Sequence, residues 1–136
     1  MNKEHKIILD LIRIYLKKHP DQRFGQALFN LRVNEFKNIE NPSESNFEIR
    51  DIHNDNDSEI IVRINNSLEW YKLQETVIKA KSKVSDLGGM TVYERLYATG
   101  LMDMFDKMLK TNKKYAEYIL ESLKVDRESI AKILNK

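Results

Sequence analysis

The chain has 136 residues, 41% of them hydrophobic and 32% charged, which is the balance of one ordinary soluble domain or of two very small ones. It contains no cysteine, which excludes disulfides, thiolate metal sites and thiol nucleophiles, and its formal net charge of +2 is too small to demand a nucleic-acid partner. No apolar run approaches the roughly 18 residues that span a bilayer, and the charged start Met1–Lys6 followed by Asp10 and Arg13 reads unlike a secretory leader. A cytoplasmic protein without membrane contact is therefore expected.

Four glycines and two prolines divide the chain sparingly. The first helix is expected over about residues 3–18, with Lys6, Asp10, Arg13 and Lys17 on one stripe and apolar residues around the rest. So narrow a polar stripe predicts a helix buried over most of its circumference. Pro20 ends it. Asp21 then suits the N-cap of a second helix over about 22–36, with Phe24, Ala27, Leu28 and Leu31 inward, so that the two form a hairpin. Residues 37–56 read as irregular, with a turn at Asn41-Pro42-Ser43 and a brief extended piece at Phe47-Glu48-Ile49. Asp55 or Asp57 is the natural N-cap of the third helix.

From Ser58 to Leu87 no proline or glycine intervenes, so a single long helix is possible there. Its apolar pattern changes face midway. Ile61, Ile64, Leu68, Tyr71 and Ile78 share one register, while Trp70, Leu73, Val77, Ala80, Val84 and Leu87 repeat at three–four spacing on another. One helix can thus serve one group at its front and a second at its back; the alternative is a break at Asn65-Asn66-Ser67. Gly88-Gly89 is expected to end the helix. Thr91 and Glu94 form a capping box for a fourth helix reaching Leu109, in which Gly100 would allow a neighbour to approach closely. Asn112 caps a fifth helix with Tyr115, Ala116, Ile119, Leu120 and Leu123 inward, and Asp126 caps a last one carrying Ile130, Ile133 and Leu134. The expected fold is all-α, with five or six helices: a front helical hairpin with its irregular loop over 1–66, the continuing connecting helix over 67–89, and a small helical unit over 90–136.

Two stretches resemble families of short uncharacterised bacterial and phage proteins. Asp21-Gln-Arg-Phe-Gly-Gln26 with the later Asp51-Ile-His-Asn-Asp-Asn-Asp57 is similar to the front module of one group. Glu94-Arg-Leu-Tyr97 followed by Gly100-Leu-Met-Asp-Met-Phe-Asp106 resembles another, with Tyr93 standing where that group has asparagine. The resemblance implies a phage or mobile-element setting and no settled activity. In that setting a binder of host machinery is expected, for instance an anti-CRISPR-like inhibitor.

No phosphate-binding loop, dinucleotide fingerprint, zinc-protease motif or nucleophile elbow is present. No cofactor is expected. His53 with Asp51, Asp55, Asp57 and Glu59 is the best metal candidate, but the spacing fails the EF-hand pattern, and a solvated loop with a helix cap is the plainer reading. His5 and His19 read as surface residues at helix ends, and Asp103 and Asp106 as salt-bridged surface. Arg23 is expected to pair with an acid of the 51–59 segment. The stripe beginning at Trp70 is either core against the later helices or an exposed docking helix, with Trp70, Tyr71, Leu73 and Val77 as contacts and Lys79 and Lys83 as a charged rim. Lys72, Lys79, Lys83, Lys107, Lys110, Lys113 and Lys114, extended by Lys81 and Lys124, offer a basic surface for RNA or DNA. The leading expectation is a non-catalytic regulator that binds a protein, a host nucleoprotein among the options, with self-association possible. A basic nucleic-acid accessory protein comes second, and a metal-dependent enzyme built on His53 third.

Overall fold

The structure, a computed structural model, describes residues 1–37 and 48–135. The expected turn at Asn41-Pro42-Ser43 and the Phe47 end of the extended piece lie outside the described residues. Among the described residues there are seven helices: α1 Lys3–Lys18, α2 Phe24–Asn30, α3 Asp57–Ser82, α4 Val92–Thr99, α5 Met102–Thr111, α6 Lys113–Ser122 and α7 Arg127–Leu134. They contain no strand, only an isolated antiparallel bridge between Phe36 and Ile49. The fold is all-α. The chain divides into two compact units, Met1–Glu69 and Trp70–Lys136, with the boundary inside α3. That helix runs unbroken through Asn65-Asn66-Ser67.

In the first unit, the Asn2 side chain caps α1 by accepting from the Glu4 amide at 2.7 Å. α1 and α2 pack on each other, and a polar triangle reinforces the turn between them: the Tyr15 hydroxyl donates to Gln22 Oε1 at 2.9 Å, and the Asn30 amide reaches both. The buried residues are Ile12 and Tyr15 of α1, Ala27 and Leu31 of α2 and its end, and Ile64 and Ser67 of α3. The Ser67 hydroxyl is satisfied by the Arg63 carbonyl one turn back, at 2.9 Å.

α2 is shorter than expected and starts later. Its N-cap position is Arg23, not Asp21, and Gln26 Oε1 accepts from the Arg23 amide at 3.0 Å. It stops at Asn30 because Arg32 turns left-handed, φ 62°, and the Val33 amide closes back on the Leu28 carbonyl at 2.9 Å. The carbonyls this frees are taken by a distant residue: Arg63 of α3 donates Nε to the Arg32 carbonyl at 2.7 Å and Nη2 to that of Val33 at 3.2 Å. Phe24, expected inward, is exposed. α3 begins at Asp57, with Asp57 and Glu59 in its first turn.

The second unit is organised around one apolar cluster. Leu73, Val77 and Ala80 of α3 meet Leu96, Leu101, Phe105, Ala116, Ile119, Leu120, Leu123, Val125 and Ile130. Thus the back stripe of α3 is core, as one of the two expectations had it. Ile78, assigned to the front stripe, points outward and is exposed. α3 ends at Ser82, short of the glycines. Val84, Ser85 and Asp86 all propagate helix poorly, and Asp86 takes up the Gly88 amide at 2.8 Å, so the two glycines shape a separate turn.

The expected fourth helix is in fact two. Gly100, φ 74°, ends α4 with Leu101 N–H on the Leu96 carbonyl at 2.9 Å, a left-handed cap that only glycine adopts without strain. Its role is therefore to turn the chain, and nothing stands within 4 Å of where its Cβ would be. Thr91 caps α4 as expected, accepting from the Glu94 amide at 3.2 Å. Asn112 and Asp126 cap α6 and α7, and the bond from Ser129 holds the Asp126 carboxyl below the usual carboxylate range.

Candidate functional site

The expected docking stripe is not the one the fold leaves open. Leu73 and Val77 are buried in the second unit's core and cannot meet a partner while that core is intact. Trp70 is half-buried, its ring 5.5 Å from Tyr115 and 4.7 Å from Tyr118, and Tyr71 is half-buried as well. Lys79 is exposed and pairs with Glu75 at 3.4 Å, one turn earlier; Lys83 is exposed beyond the helix end. Regular three–four spacing carries the same signature whether a helix packs inside its own unit or against another molecule, and here the internal use prevails.

Phe24, Ile49, Val62, Ile78, Tyr93 and Tyr97 are exposed on other elements, but α1 gathers three exposed aliphatic side chains on one helix. Ile7, Leu9 and Ile14 are 37%, 52% and 49% exposed. On a helix with 100° per residue, Ile7 and Ile14 lie together on one flank of the buried Ile12–Tyr15 side, with half-buried Leu11 beside them. Leu9 lies on the other flank with Leu16. The sequence pattern assigns these residues to a core, and the narrow polar stripe is real. The correction concerns what covers the rest: within the first unit, only the Ile12–Tyr15 side of α1 is buried.

The second constellation is electrostatic. Arg50 grips Asp55 through two bonds, Nη1 to Oδ1 at 2.8 Å and Nη2 to Oδ2 at 2.6 Å. Arg63 reaches Asp55 at 3.0 Å and Glu35 at 3.2 Å, and Arg50 also approaches Glu35 at 3.4 Å. The side chains of Arg63, Asp55 and Glu35 are only 13%, 11% and 11% exposed. Asp55 titrates at about 2, below its ordinary 3.8, chiefly because Arg50 hydrogen-bonds it; the same bond pushes the Arg50 guanidinium up. This network ties residues 35, 50 and 55 of the irregular segment to α3. An arginine does hold the acidic segment, but Arg50 and Arg63 fill the role expected of Arg23. The signal in the sequence was two arginines, Arg50 and Arg63, flanking a run of several acids, which does not say which acid they hold.

The same network weighs against a metal at His53. Asp55 is held by arginines, Asp57 pairs with His5 at 2.9 Å, and Asp51 accepts from the His53 amide at 2.9 Å. Among the described residues no group of three or more histidines and carboxylates is gathered as a metal site. His19 lies against the Tyr15 ring at 4.4 Å, and Asp103 and Asp106 are exposed.

The lysines expected to form a basic surface, Lys72, Lys79, Lys83, Lys107, Lys110, Lys113 and Lys114, are placed by the fold on the outer sides of their helices and turns, and all seven are exposed. Lys113 caps the end of α7 by donating to the Leu134 carbonyl at 2.9 Å. Among the described residues no helix is long and apolar enough to cross a membrane. Compared with models of protein families, with curated proteins and with solved structures, the chain matches none.

Proposed function

We propose that the chain is a non-catalytic protein-binding regulator that docks its partner through the uncovered apolar flanks of α1. The observation that supports this is the exposure of Ile7, Leu9 and Ile14 on a helix whose sequence is apolar around most of its girth. Burying such side chains contributes about 1.5–3 kcal/mol each, so a partner offering an apolar groove gains affinity there at little polar cost. Neutral apolar surface also sets the site apart from a catalytic centre, which needs titratable groups convergent on a cleft. The phage or mobile-element setting, and inhibition of a host defence protein as its example, rest on the two sequence resemblances alone.

The test is a pull-down from nuclease-treated lysate with the unaltered chain and with Ile7→Glu/Ile14→Glu. Both positions are exposed enough that the substitutions should shift stability by only about 0.5 kcal/mol, which circular dichroism checks. A protein captured by the unaltered chain and lost from the variant supports the reading. Capture by both alike moves the interface off α1, and capture that disappears with nuclease favours nucleic acid.

That second reading draws on Lys107 and Lys110 of α5 and Lys113 and Lys114 at the start of α6, four exposed cations within one helical corner. Phosphate contact through them would weaken steeply as salt rises. A labelled oligonucleotide that fails to bind even at low ionic strength eliminates it.

A further inference from the structure

The second unit holds an open cleft of about 360 Å³ beside the 83–90 turn. Three cations line it, each from a different element: Lys81 from the last turn of α3, Arg95 from α4, and Lys124 from the corner between α6 and α7. One carboxylate residue, Asp86, belongs to the same lining. Like charges drawn from three elements into one concavity repel unless something offsets them. Among the described residues, none of the three cations has an ion-pair partner.

Arg95 is held firmly. Its Nε donates to the Met90 carbonyl at 3.2 Å, and its Nη1 donates to the carbonyls of Leu123 and Lys124 at 2.8 and 2.9 Å. Those bonds fix the plane of the guanidinium, and among the described residues they leave the donors of Nη2 uncommitted. A guanidinium held by its own protein loses little entropy when it takes up an oxyanion. Lys124 is one of only two non-glycine residues with positive φ among the described residues, φ 61°. It follows α6 at the left-handed position where glycine or asparagine is usual. A lysine there accepts backbone strain while remaining part of the cleft lining. Asp86 uses Oδ1 on the Gly88 amide, which leaves Oδ2 to accept from a hydroxyl, and half-buried Val84 and Leu87 supply an apolar wall.

We propose that this cleft binds a small hydroxyl-bearing phosphomonoester, a sugar phosphate or mononucleotide. Its phosphate is held by Arg95, Lys81 and Lys124, and a hydroxyl is held by Asp86. The charge count favours the dianion of a phosphomonoester: three cations against one carboxylate leave two positive charges for it to neutralise. The site lies wholly within the second unit and is independent of docking through α1.

The experiment is a titration of the isotope-labelled full chain at low salt, followed by amide shifts and by the Arg95 Nε–H signal. The probes are adenosine 5′-monophosphate, adenosine and inorganic phosphate. Saturable shifts centred on residues 85–89, Arg95 and Lys124 are expected with the monophosphate. Inorganic phosphate should shift the same signals more weakly, and adenosine should leave them in place. Lys81→Gln/Lys124→Gln, which removes both charges and keeps a flexible polar side chain, should weaken the monophosphate at least about tenfold with the remaining spectrum unchanged. No saturable shift at these residues, equal response to adenosine, or unchanged binding by the variant overturns the proposal. So does a single-stranded oligonucleotide that binds more tightly than the monophosphate and shifts residues 107–114 instead.

Discussion

The two units are nearly equal in length and hold together by different chemistry. The second is organised by apolar packing, with residues from α3 to α7 in one cluster. The first has a thinner apolar interior among the described residues and relies on four charged side chains, Glu35, Arg50, Asp55 and Arg63, to secure residues 31–37 and 48–56, which lie outside its helices. Apolar cores tolerate imprecise partners, whereas an ion network at low exposure is favourable only when every member is in place. The unit that places charge in its interior is also the one that leaves apolar residues of α1 outside.

Four perturbations of the two units, and a fifth at their exposed edge, would sharpen or break that comparison. The largest effect is expected from Leu120→Ala, which opens a cavity in the second unit and should cost about 3–4 kcal/mol by urea unfolding. Amide exchange should show the loss concentrated in residues 70–135; equal loss across residues 1–69 would mean the units are energetically one. Next, Arg63→Leu removes the partner of Asp55, Glu35 and two backbone carbonyls at once and should cost about 3 kcal/mol, with faster exchange in residues 31–37 and 48–56. A neutral outcome would show that the network is ornamental.

The network also has a pH signature. The Asp55 carboxyl is lowered by folding, so its contribution is fully present above its ordinary 3.8 and is lost as pH falls through about 2. Exchange protection in the first unit should therefore decline between about pH 4 and pH 2 in the unaltered chain, and Asp55→Asn should remove that dependence. Smaller still, Gly100→Ala forces a left-handed residue to carry a Cβ and should cost about 1–2 kcal/mol, confined to the α4–α5 corner. The smallest change is expected from His5→Ala, since the exposed pair with Asp57 contributes less than about 1 kcal/mol.

Local signals carried the helices well. The caps at Thr91, Asn112 and Asp126 and the continuity of α3 through Asn65–Ser67 follow from hydrogen bonds and propensities that act within a few residues. The failures share a cause. α2 ends early where Arg32 turns left-handed, and Arg63, some thirty residues on, takes the carbonyls this frees. Gly100 turns the chain where no clash demands it, and composition cannot separate a turning glycine from a packing one. For the candidate site the gap was wider. An apolar residue on α1 and one on the back of α3 look alike in a periodic pattern; only the elements available to cover them decide which is core.

Sequence by itself determined that the chain is helical, where most helices begin, and that α3 presents two successive apolar faces, because these depend on backbone hydrogen bonding and side-chain periodicity over short range. Tertiary structure alone decided that the back face is buried while the flanks of α1 are open. It alone decided that Arg50 and Arg63 converge on Asp55, and that Lys81, Arg95 and Lys124 meet around one cleft. Burial and electrostatic fields depend on distance in space, and for these residues that distance bears no relation to their separation along the chain.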